Sequence, residues 1–369
     1  MKFTYYFKYK KLITNILIFG IIFYLLMHSK VLVTSISKST NIFITKLIPA
    51  LFPYLLITEI LINSGKVNNL SYGLSSAISK LFAIPKHTTA SVIIGFLLGY
   101  PNSAKYILKM YNDKQIDSKV ATKLISFTSN ANMSYIIASI GIGMFRSIEV
   151  GIILTISHFL SAIIIGIFFT PSYNNNIIQQ TNTNSNSFNK ISSPFELLYV
   201  SIYGTLKTLA FIFSYTVIFS LIPTVVFSDL NVPQTLKAVI TGIFEISNGI
   251  NAVQLLDISL NTKIILTSFI LSFSSLMILV QIFSFAFKAK VKFGDLVKYK
   301  LIQGIISCII TYMIITYIYT PILPVYITKD MFVSPLNILP STIYMFAIFI
   351  TIILSLILFR KKRQGKPVA

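Results

Sequence analysis

Apolar runs of roughly membrane-helix length alternate along this chain with short stretches rich in Lys, Asn and Ser. A helix needs about 20 predominantly apolar residues to cross the hydrocarbon of a bilayer. Runs at 12–27, 43–62, 151–170, 236–256, 264–287, 301–322 and 338–359 come near that length. Pro49 and Pro53 fall inside the second run, so a helix there is kinked. Residues 70–82 mix apolar positions with Ser, Gly and Lys, the pattern of a helix lying along a membrane. The stretch 195–227 is too long for one span and reads as an interfacial helix leading into one.

Polar knots interrupt the pattern at informative places. Residues 88–110 would form one membrane helix but for Gly99-Tyr100-Pro101-Asn102-Ser103-Ala104-Lys105. Proline lacks a backbone N–H and clashes with the preceding turn, so the helix breaks there. A second knot, Ser126-Phe127-Thr128-Ser129-Asn130-Ala131-Asn132, separates apolar residues 121–125 from 133–145. Backbone groups freed inside a bilayer must find partners in protein or water. The second half echoes both knots, with Ile246-Ser247-Asn248-Gly249 after 239–244 and Ser272-Phe273-Ser274-Ser275 within 264–283. Asn248 follows Asn102 by 146 positions, and Ser272 follows Ser126 by the same 146. Paired interrupted segments in two halves point to a duplicated carrier with its site at the breaks.

Composition narrows the class. The chain has 369 residues, 54% of them hydrophobic and only 11% charged, with a mean hydropathy of +0.78, against about 25% charged in soluble domains. The net charge of +21 accompanies no basic recognition helix or aromatic-basic module, so nucleic acid is not the expected partner. Lys-rich cytoplasmic loops beside anionic lipid account for it. The clusters at Lys2–Lys11, Lys288–Lys300 and Arg360–Arg363 then mark the cytoplasmic side, with both termini inside. Cys308 is the only cysteine and reads as a packed apolar residue. Residues 172–193, nearly all Asn, Gln, Ser and Thr, read as a flexible linker.

Enzyme signatures are missing: there is no HExxH, GxSxG or Walker A pattern, and the three histidines are scattered. No catalytic residue, metal site or cofactor is expected. Ionisable residues within apolar runs are expensive and so informative. Glu245 can hold a cation, carry a proton or pair with Lys105. Lys105, just past a broken helix, suits an anionic substrate or else snorkels to the interface. Glu59 is either interfacial or pore-facing, and His158 is expected to be a packed, hydrogen-bonded histidine.

Leu51-Phe52-Pro53-Tyr54-Leu55-Leu56, the Gly99–Lys105 and Ser126–Asn132 knots and Glu245-Ile246-Ser247-Asn248-Gly249 occur in that order. Together they resemble the sporulation integral membrane protein YlbJ family, over roughly residues 45–313. That resemblance implies the nucleoside-recognition gate group, related to concentrative nucleoside transporters. It also implies an endospore-forming source and the mother-cell-derived outer forespore membrane. The implied cargo is dipicolinic acid moved towards the spore. The long polar linker and Ser103, where glycine is frequent, depart from the family pattern.

The expectation is therefore an all-α polytopic membrane protein with two gate-like repeats, inverted relative to each other. Residues 1–42 form an N-terminal anchor, 43–171 the first repeat, 172–193 the linker, 194–326 the second repeat, and 327–369 a last helix with a basic tail. Asn102, Ser103, Ser129, Asn130, Asn132, Asn248 and Ser274 are the expected substrate-binding residues. Lys105 is expected to neutralise a carboxylate, and Glu245 to handle coupling H+ or Na+. Partners are a small anion, membrane lipid and a further copy in a homo-oligomer. A nucleoside-type cotransporter and a non-transporting scaffold for spore-envelope assembly are the competing readings.

Overall fold

The structure is a computed structural model that describes residues 27, 29–65, 73–97, 99–100, 102–170, 193–227 and 230–318. The expected first span at 12–27 (but for Met27), the linker at 172–193 (but for Ser193), Pro101 and the last helix at 338–359 lie outside the described residues. Among the described residues every regular element is helical.

α1 (Ser29–Ile42) runs through a π-helical turn (Phe43–Leu47) into α2 (Ile48–Asn63). The short α3 (Ser75–Phe82) follows. α4 (Thr89–Leu97) and α5 (Asn102–Asn112) flank the first break. α6 (Ser118–Thr128) and a π-helical segment (Tyr135–Ile142) flank the second. α7 (Ile148–Ile164) ends in another π-helical turn (Ile165–Phe169). α8 (Pro194–Val226) opens the second half. α9 (Gln234–Phe244) and α10 (Ile246–Gln254) meet at Glu245, and α11 (Leu260–Phe273) and α12 (Ser275–Ala286) meet at Ser274. α13 (Phe293–Met313) closes the described chain with a π-helical turn, Ile314–Ile318.

Local chemistry sets these starts. Asp117 caps α6 by accepting from Val120 N at 2.8 Å, and Ser147 and Ser259 cap α7 and α11 in the same way. Such caps satisfy N–H groups that a helix start leaves unpaired. Ser193 and Pro194 open α8, which continues unbroken for 33 residues. It is one helix, not an interfacial helix leading into a span, because Pro223 falls only in its last turn. At 1.5 Å per residue it is about 50 Å long, more than the roughly 30 Å of hydrocarbon.

Among the described residues five helices are long and apolar enough to cross a membrane: Ser29–Asn63, Ile148–Phe169, Pro194–Val226, Leu260–Ala289 and Phe293–Ile318. This is the architecture of an all-α multi-pass membrane protein. Their burial sorts them. Ile148–Phe169 and Leu260–Ala289 are each 72% buried and central, whereas Pro194–Val226 is 28% buried and peripheral. The peripheral helix turns Phe195, Tyr199, Tyr203, Leu206, Phe211 and Ile218 outward, an apolar face suited to lipid. Two buried cores form, one around α5, α6 and α12, the other around α7, α10 and α11. Phe96, Tyr100 and Phe269 pack against both, so the first break lies at their seam.

Candidate functional site

Both breaks of the first half meet. Gly99 takes φ +72°, and Tyr100 N donates to Asn130 O at 2.8 Å. A Cβ on Gly99 would stand 2.8 Å from Asn132 N and 2.9 Å from Asn130 O, so only glycine fits this crossing. Ser103 Oγ lies 2.7 Å from Thr128 Oγ1, pinning the start of α5 to the end of α6. Beyond α6, Asn130 Nδ2 donates back to Phe127 O at 2.7 Å, and Asn132 Oδ1 accepts from Tyr135 N at 2.7 Å to start the next helix.

The second half breaks differently. Glu245 is extended, and its carboxylate accepts from Ser247 N at 3.0 Å, Asn248 N at 2.6 Å and Asn248 Nδ2 at 2.8 Å. It is the N-cap of α10, where a negative charge also meets the positive helix end. Asn248 Nδ2 donates further to Ser39 Oγ, which bonds Ser220 Oγ. At the other break Ser274 and Ser275 take φ 69° and 52°, left-handed values that cost side-chain-bearing residues about 1–2 kcal/mol each.

Hydrogen bonds tie the halves across these breaks. Tyr135 Oη is 3.0 Å from Ser247 Oγ. Ala131 N donates to His158 Nε2 at 3.1 Å, which leaves Nδ1 to donate to Ser272 Oγ at 2.9 Å. Lys300 Nζ donates to Ser129 O, Gln303 Oε1 and Asn130 Oδ1. Lys300 is 2% exposed, so it is not part of the lysine-marked loop that its neighbours suggested.

Two spaces adjoin this centre. A void of about 30 Å³ is bordered by Tyr100, Asn132, Tyr135, Ser247, Met277 and Ile278, thus by the starts of α5 and α12 as well as α10. A larger cavity of about 460 Å³ is lined by Lys38, Lys237, Ser35, Ser220, Thr224 and Asn248 among others and, among the described residues, by no carboxylate. At and beyond the breaks, several polar atoms lack partners. Asn102 Oδ1 and Nδ2, Ser129 Oγ, Ser274 Oγ, Ser275 Oγ and both amide atoms of Gln281 are buried without a hydrogen bond. Leaving a buried polar group unpaired costs about 1–3 kcal/mol, so each of them calls for an explanation.

The sequence-derived residues divide accordingly. Asn102, Ser129 and Ser274 offer free polar atoms, while Ser103, Asn130, Asn132 and Asn248 are engaged in holding the breaks. Lys105 stands apart. Its Nζ donates to Thr208 at 2.8 Å and lies 4.0 Å from Glu59, which pairs it with α2 and α8 rather than with Glu245. His158 is the packed, hydrogen-bonded residue expected. Lys300 and Gln303 were missed, although Lys300, Gln303, Ser307 and Thr311 form a buried polar stripe at helical spacing. Among the described residues no group of His, Cys, Asp or Glu is placed to hold a metal ion.

Comparison with known proteins gives one point of contact. The chain is 23% identical over 305 residues, 74% of each chain, to the sporulation integral membrane protein YlbJ of Bacillus subtilis (strain 168). No family model matches the chain. No solved structure matches it significantly.

Proposed function

We propose that this protein carries a small organic anion across a membrane, binding it where the broken helices meet. The observation that carries this reading is the set of buried, unpartnered polar atoms on Asn102, Ser129, Ser274 and Ser275 at the helix breaks, whose chain neighbours Tyr100, Ala131 and Met277 border a central void. Helix N-termini present N–H groups and a positive dipole end, which suit carboxylates, and α5 and α12 each begin two residues from a position that borders this void, Tyr100 and Met277. The 460 Å³ cavity adds two lysines and no carboxylate, favouring an anion over a neutral nucleoside.

The element order supports a duplicated carrier. In each half a long helix precedes two interrupted helical pairs, and a further long helix follows. We take these halves as gate-like repeats, 43–171 and 194–326, inverted in the membrane. A void of 30 Å³ has room for about two waters and not for a ring-bearing ligand, so the described state is closed at its centre. Loading then requires the breaks to separate, as expected of alternating access around a fixed site.

The similarity to a sporulation membrane protein makes dipicolinate the substrate to try first, with the outer forespore membrane as its place. Dipicolinate is a planar dianion, and two helix N-termini offer each carboxylate a donor set. The test is uptake into proteoliposomes. Saturable dipicolinate uptake is expected, with KM raised about 10–100-fold in Asn102→Ala, the loss of one hydrogen bond to a charged group. An unchanged KM in a folded Asn102→Ala variant would remove the broken helices as the site. No uptake by wild type would move the reading to a membrane scaffold.

A further inference from the structure

The second break of the first half contains a cradle of oxygens around one positive charge. Lys300 Nζ reaches Ser129 O at 2.5 Å, Gln303 Oε1 at 2.7 Å and Asn130 Oδ1 at 3.3 Å. An ammonium has three donors, and all three are used. Each oxygen is aimed from elsewhere. Asn130 is oriented by its Nδ2 bond to Phe127 O at 2.7 Å. Gln303 is oriented by Nε2 bonds to Asn130 Oδ1 at 3.1 Å and His158 O at 3.4 Å. Ser129 O belongs to the C-cap of α6, where a helix carries partial negative charge.

All three ligands are neutral. Among the described residues no carboxylate lies within ion-pairing distance of Lys300. Asn130, His158 and Gln303 are each 0% exposed, so the cradle is closed to water. An oxygen-lined, dipole-compensated, fully buried pocket for a single positive charge is the design of a monovalent-cation site.

We propose that this cradle is a monovalent-cation site filled by the Lys300 ammonium, so that the protein carries its own cation there and needs no Na+ to close the second break. The inference concerns cation binding by the purified protein and stands whether or not the cargo is dipicolinate. If the carrier reading above also holds, the arriving anion meets a built-in positive charge one residue behind the void, and uptake proceeds in Na+-free medium.

The experiment is thermal unfolding of detergent-purified wild type and Lys300→Ala in 0–300 mM NaCl, KCl, methylammonium chloride or choline chloride. Wild type is expected to melt at the same temperature in all four at matched ionic strength. Lys300→Ala is expected to melt lower in choline, which cannot enter the cradle, and to regain several degrees saturably with Na+, K+ or methylammonium. A saturable Na+ or K+ effect on wild type would overturn the proposal, as would a Lys300→Ala variant indifferent to cation identity. Should Lys300→Ala not be recovered in any salt, Lys300→Met decides. It fills the space without charge, and must melt well below wild type in every salt because Ser129 O and Gln303 Oε1 lose their Lys300 donor and Asn130 Oδ1 keeps only Gln303 Nε2. Wild-type-like stability of Lys300→Met would overturn the proposal equally.

Discussion

Gly99 tolerates no other residue. Its φ of +72° excludes side chains at about 1–2 kcal/mol, and its missing Cβ lets Tyr100 bond Asn130 across the two breaks. Gly99→Ala is therefore expected to destabilise by at least 2 kcal/mol, because the Asn130 and Asn132 backbones it would strike are themselves held. With Cys308 the only cysteine and no tryptophan in the chain, a thiol-reactive fluorophore reports the melt directly. An unchanged midpoint would mean that the breaks are not joined through this contact. At this scale the sequence said which residues were polar but not what stood opposite them. Asn102 was legible because a polar residue after a proline inside an apolar run has few other reasons to be there. The surroundings of Lys105 and Lys300 were not legible. Lys105 sits in an eye-catching motif yet faces Glu59 and Thr208, whereas Lys300 hides among loop lysines and points inward.

Breaks were legible as elements because they disturb a strong background. A proline or a run of hydroxyl and amide residues stands out in an apolar helix, and the structure interrupts the helices at Gly99–Tyr100, Ser129–Asn132, Glu245 and Ser274. The π-helical segments were not legible, since a change of hydrogen-bond register leaves no mark on composition. Nor was the unbroken length of α8, whose 33 residues exceed one span and so read as an interfacial helix leading into one. The break at Ser274 holds strain without a visible structural return, since its hydroxyl has no partner and its backbone is left-handed. Ser274→Gly is expected to raise the melting temperature by a few degrees, relieving about 1 kcal/mol of backbone strain, while weakening substrate affinity. A lower melting temperature would show that the serine hydroxyl is structural, and an unchanged KM that it does not touch cargo.

Across the whole molecule the charge is lopsided, +21 over 369 residues. Read from the sequence, it belongs to loop lysines beside lipid headgroups, but Lys38 and Lys237 line the large cavity that reaches Asn248. Positive charge in a recess with low-dielectric walls concentrates anions and speeds their capture. Replacing both lysines with Gln is expected to raise the uptake KM several-fold at low ionic strength with little change in maximal rate. In choline chloride near 1 M, where screening acts over about 3 Å, the difference should largely vanish. A KM that ignores these lysines would rule the cavity out as the mouth of the pathway.

The tie between Lys300 and Ser129 spans 171 residues of chain. At roughly 5–20 residues per second of synthesis, that separation is about ten to thirty seconds. Throughout that interval the nascent first half holds a helix break in the membrane whose carbonyl and amide oxygens await a donor not yet made. Ala131 N reaches His158 early, but the Ser272 that orients the ring from its far side comes much later. The two halves thus mature as one cooperative unit in time as well as in space, and the first must be sheltered by water or by the insertion machinery until α13 arrives.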